Sequence, residues 1–194
     1  YKYNYSGSAV LHARVNSTEH AGTVNQYLLT YNANSTTTIT DPLATARTFS
    51  FQNVGGIQRF SGSSVQGGAG YGTGIQNRTF DAKGNVASQT DFNNIKTCYV
   101  YDQTRNLETV RVEGISSGTA CSSVTAAGAP LPAGSRKIVT DWHARWGLPS
   151  RVSEPGRRTT YAFNGGQGGS VSCAPSGAVI QDGSPSGTPI GVLC

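Results

Sequence analysis

Alternation of apolar and polar residues with a period of two is the commonest pattern along this chain, and no stretch sustains the 3.6-residue period of an amphipathic helix. In "TCYVYD" the alternation puts Cys98 and Val100 on one face of an extended segment and Tyr99 and Tyr101 on the other. "LETVRVEG" then sets Leu107, Thr109 and Arg111 against Glu108, Val110 and Val112. The same reading predicts strands over 27–31, 36–40, 46–52, 74–80, 85–91, 137–141, 149–153 and 158–164. "DPL", "KGN", "FNN", "EPG" and "NGG" punctuate them with turn chemistry. The predicted class is all-β.

The strands recur in phase. Phe80 and Tyr101 are 21 residues apart, as are Trp142 and Phe163, and Tyr31 precedes Phe51 by 20. The residue after the aromatic is Asp81, Asp102, His143 or Asn164 in the four later cases. Ten to twelve residues on, an acidic residue opens a second turn: Asp41, Asp91, Glu113 and Glu154. A fixed period of this length marks a repeat architecture, and the unit here is one β-hairpin. Positive φ is expected at Gly84-Asn85 and Arg105-Asn106, with acidic side chains accepting backbone N–H groups at the turns. Aromatic residues held at one phase, including Tyr161 beside Phe163, would stack from hairpin to hairpin.

On these residues, "FDAKGNVASQTDFNNIKTCYVYD" and "YDQTRNLETVRVEG" resemble the YD repeats of Rhs-type proteins. That pattern runs Tyr-Asp, two residues, Gly-Asn-Leu, an acidic turn, then the next Tyr-x-Tyr-Asp; Asn106-Leu107 matches its Asn-Leu. The resemblance is close over 80–114, recognisable over 137–164 and looser over 27–52. Arg105 stands where the first turn has Gly, Asn32 and Asn164 replace Asp, and His143 breaks the pair. The resemblance implies a repeat array forming a continuous curved sheet, ribbon or shell segment. In large relatives of the family, such a shell encloses a toxic cargo and the repeats are scaffold.

The layout predicted from this is divergent hairpins over 1–60, a Gly/Ser-rich loop over 61–74 and two well-matched repeats over 75–115. A small-residue insertion over 116–136, a further repeat over 137–164 and a Gly/Ser/Pro-rich segment over 165–194 complete it. Only 13% of the 194 residues are charged, and Gly, Ser, Thr and Asn dominate the polar positions, a mixture poor for helices. Met is absent and the sequence opens on Tyr1, which is read as a mature form or an excerpt.

The formal net charge of +5 is spread along the chain, with only the pairs Arg136-Lys137 and Arg157-Arg158 as groupings, which argues against nucleic acid as a partner. No apolar run reaches the roughly 20 residues of a membrane helix. Cys98, Cys121, Cys173 and Cys194 lie 23, 52 and 21 residues apart without a CxxC pair, which speaks against a zinc site and for disulfides in an oxidising, extracellular or cell-surface setting. Three pairings are open; Cys98 with Cys121 would clip the loop after the second repeat.

Chemistry is sparse. His12, His20 and His143 lack metal-ligand spacing and read as surface residues, no GxSxG elbow is present, and "GGAGYGTG" lacks the Lys-Ser/Thr of a phosphate loop. Asp81 and Asp102 follow the repeat and read as turn caps rather than a catalytic carboxylate pair. The sequence thus predicts no enzyme, cofactor or metal. It predicts a bacterial scaffold whose partners are its own copies or the rest of a larger Rhs polypeptide. The alternative is a carbohydrate-binding module presenting exposed aromatics such as Trp142 and Trp146 to a glycan.

Overall fold

The structure, a computed structural model, describes residues 1–7, 13–65, 74–164, 172–175, 177–181 and 188–194. His12, most of the 61–74 loop with its glycine-rich motif, and parts of the 165–194 segment lie outside the described residues. The chain divides into two compact units, Tyr1–Ile95 and Lys96–Cys194.

The first unit opens with β1 (Lys2–Ser6), β2 (Arg14–Glu19), β3 (Tyr27–Asn32), β4 (Thr36–Thr40), β5 (Ala46–Val54) and β6 (Ile57–Ser63). They form one antiparallel sheet in chain order, each strand beside the next. A hairpin of β7 (Ile75–Phe80) and β8 (Val86–Asp91) follows. Strands β1, β2 and β6 add to those read from the sequence, and β6 runs to Ser63, into the predicted 61–74 loop. Few large apolar side chains are buried here. Polar cross-strand pairs take their place: Thr38 and Thr48 share a hydroxyl hydrogen bond of 3.0 Å. Buried Glu19 accepts from Gln26 Nε2 at 2.8 Å and pairs with Lys2 at 3.3 Å.

The second unit carries β9 (Ile95–Asp102), β10 (Leu107–Ser116), β11 (Arg136–Trp142), β12 (Pro149–Glu154) and β13 (Arg157–Thr160), again antiparallel neighbours in chain order. A short pair, β14 (Val179–Ile180) with β15 (Thr188–Pro189), lies near the C-terminus. The insertion between β10 and β11 holds a single helical turn, α1 (Ser122–Thr125), whose Val124 is buried with Cys98, Val112 and Ile115. Two lysines fix this insertion by donating to its carbonyls, Lys96 to Thr119 at 2.8 Å and Lys137 to Val124 at 3.1 Å. The disulfides are Cys98–Cys121 and Cys173–Cys194. The first ties α1 to β9, so a segment too poor in apolar residues to make its own core contributes to one.

Candidate functional site

Three of the turns share one geometry. Asp41 Oδ1 accepts from the N–H groups of Leu43 (3.0 Å) and Thr45 (2.9 Å), Asp81 Oδ1 from Lys83 (2.9 Å) and Asn85 (2.8 Å), and Asp91 Oδ1 from Asn93 and Ile95 (both 2.9 Å). In all three the residue three positions on is left-handed: Ala44 at φ 61°, Gly84 at 83° and Asn94 at 60°. This is the hairpin loop of a turn followed by a left-handed residue, closed by an aspartate. Asp102 accepts from Thr104 (2.8 Å) and Arg105 (3.2 Å) but closes a longer loop, with Asn106 left-handed at 58°. Leu107 then begins β10.

The glutamates do otherwise. Glu113 is not at a turn; it lies inside β10, where it pairs with Arg136 at 2.6 Å and Arg111 at 3.3 Å. Glu154 ends β12 opposite Arg157, and the turn between them relies on Gly156 at φ 71°.

His143 corrects the surface reading: it is buried, its ring meets Phe163 edge-on at 5.5 Å, and Nδ1 accepts from the N–H groups of Arg145 and Trp146, both at 3.2 Å. Asn164 Oδ1 likewise accepts from Cys173 N and Ala174 N. Both residues stand where the repeat carries Asp, and both keep its acceptor role. Their position after an aromatic was the signal that could have revealed this.

The aromatic markers are dispersed. Tyr31 on β3 lies under Arg14 at 5.1 Å, Phe51 on β5 contacts Phe60 at 6.2 Å, and Phe80 on β7 faces Arg59 at 6.0 Å. Tyr99 and Tyr101 are on β9. Tyr161 follows β13 and donates its N–H to Ser150 O at 2.9 Å, and Phe163 bridges to Leu193. Trp146 packs on Gly191, where an added Cβ would come within 2.7 Å of the indole.

An open groove of about 660 Å³ runs across β10 to β13 in the second unit, within the usual size of a ligand site. Its floor follows the strand register. Val139 is opposite Ser153, which is opposite Arg158; Asp141 is opposite Arg151, which is opposite Thr160. A register shift at Asp141/Trp142 lets the adjacent Trp142 line the groove as well. Trp142 is anchored by Nε1 donating to Glu108 O at 2.7 Å. Burial raises the Glu108 carboxyl above the ordinary glutamate range, against the opposing pull of Arg111.

Three arginines enter the groove in different states. Arg105 donates to the carbonyls of His143 and Trp146, both at 2.7 Å, and Arg151 pairs with Asp141. Arg158 is exposed and has no hydrogen bond or ion pair among the described residues. Sequence reading missed this grouping because cross-strand register, not spacing along the chain, assembles it. Among the described residues, no three His, Cys, Asp or Glu side chains gather as a metal site, and no helix is long and apolar enough to cross a membrane. No protein-family model matches the chain, and a search of curated proteins finds no significant match.

Proposed function

We propose that this chain is a non-catalytic structural scaffold, an array of YD-type hairpins that builds an extracellular shell or fibre with its own copies or with the rest of a longer polypeptide. The observation that carries this reading is the recurrence of one aspartate-closed loop at Asp41, Asp81 and Asp91, between strands that pair in chain order. Each hairpin presents its last strand to the next, which is how a repeat array grows without a large central core. The two disulfides support an oxidising setting.

Electron microscopy of the intact, undissociated material tests the proposal. Regular fibres or closed shells are expected, and monodisperse small particles at high concentration would overturn self-assembly. The carbohydrate reading draws support from Trp142 at the groove, and tryptophan fluorescence separates the two. Trp142 is held through Glu108 and Trp146 covers Gly191, so the scaffold reading expects an emission spectrum unmoved by added polysaccharide. A saturable shift would favour a glycan platform.

A further inference from the structure

We propose that β13 is a docking edge for an extended acidic peptide, which adds to the sheet as a further strand and sets a carboxylate against Arg158. This inference does not depend on the scaffold reading. It rests on the direction of the backbone groups, the state of the arginine and the shape of the groove.

Among the described residues β13 pairs with β12 alone. In an antiparallel ladder the N–H and C=O of alternate residues point to opposite sides of the strand. Arg157 closes the tight turn opposite Glu154, and Tyr161 N–H turns inward to Ser150 O. The odd-numbered positions therefore face β12, and the N–H and C=O groups of Arg158 and Thr160 point out from the edge. These same two residues contribute side chains to the groove, while Arg157 is on the other face. An incoming strand thus meets free backbone groups and a basic, concave side-chain surface at the same residues.

Charge selects the occupant. Arg151 and Arg105 are engaged, whereas Arg158 is exposed and unpaired at the end of the row Val139, Ser153, Arg158. The next position in that row belongs to the added strand, and a Glu or Asp there forms a charge-assisted pair with a guanidinium. Main-chain pairing supplies affinity and the alternate carboxylates supply selectivity, as in other strand-addition interfaces.

The test uses the full chain and an eight-residue peptide of alternating Thr and Glu, with two controls: the same peptide with Gln for Glu, and the Glu peptide N-methylated on alternate backbone amides. Calorimetry measures affinity, and amide exchange reads Arg158 and Thr160. Binding of the Glu peptide with new protection at those two amides is expected, at least about tenfold tighter than either control. Arg158→Glu should abolish binding, and Arg157→Glu, with the same charge change on the opposite face, should weaken it less than about threefold. Equal binding of the N-methylated peptide would reduce the effect to charge attraction and overturn strand addition. Equal loss in the two arginine variants, equal competition by a polyuronate polysaccharide, or no binding by any peptide would overturn it as well.

Discussion

A single carboxylate oxygen organises each aspartate loop by satisfying two N–H groups that the strands leave unpaired. Asp81 adds a third bond, from Asn85 Nδ2 to its second oxygen at 3.0 Å. Asp81→Ala should therefore cost about 1–2 kcal/mol, seen as a lower denaturant midpoint at unchanged slope, and Asp81→Asn, which keeps an acceptor, should cost less. Asp41 extends the argument to pH. Its carboxyl is held below the ordinary aspartate range, first by the Thr45 N–H, against some desolvation, with the Leu43 N–H and Arg47 adding to the effect. A folded-state value below the unfolded one means stability that is fully present above about pH 3.9 and is lost as pH falls through the folded value. Asp41→Asn should flatten the fall in stability below about pH 4, and an unchanged acid slope would remove Asp41 from the account.

At the scale of elements, close approach between hairpins decides what the sequence tolerates. In the first unit an added Cβ at Gly62 on β6 would run into Gln76 O and come within 2.9 Å of Gln76 C, backbone atoms that cannot swing aside. Gly62→Ala should destabilise by about 1–3 kcal/mol and raise amide exchange in β6 and β7, whereas Gly22→Ala, with open space around the site, reports only the cost of its left-handed backbone. The same β6 shows where sequence reading reached its limit. Alternating runs bounded by Asp turns, such as β9, were legible because side-chain period and turn chemistry agree. The alternation in "IQRFSGS" runs into a Gly/Ser-rich stretch and reads as loop, yet backbone pairing with β5 carries it to Ser63. Glu113 failed for a related reason: periodicity locates an acid but does not distinguish a turn cap from a cross-strand partner. Arg158, Arg151 and Trp142 meet only through register, which no local pattern encodes.

At the scale of the whole chain, two disulfides of nearly equal loop length do different work. Their sequence separations of 23 and 21 residues imply similar constraint of the unfolded chain, about 3 kcal/mol each on the chain-entropy account. Their surroundings differ. Cys98 is fully buried among Val112, Ile115 and Val124, whereas Cys173 and Cys194 are both exposed. Thiol–disulfide exchange needs an attacking thiolate to reach a sulfur, so access sets the order of reduction under native conditions. Dilute reductant followed by alkylation and peptide mass mapping should label Cys173 and Cys194 first, with Cys98 and Cys121 following only when denaturant is added. The partially reduced protein should keep amide protection in β10 and lose it near the Phe163–Leu193 bridge, because Leu193 adjoins Cys194 inside the loop that this disulfide closes, whereas α1 is held by the other disulfide. Simultaneous labelling of all four cysteines would mean that the buried bridge opens as readily as the exposed one, and that the Cys98 core does not shield its disulfide in a reducing environment.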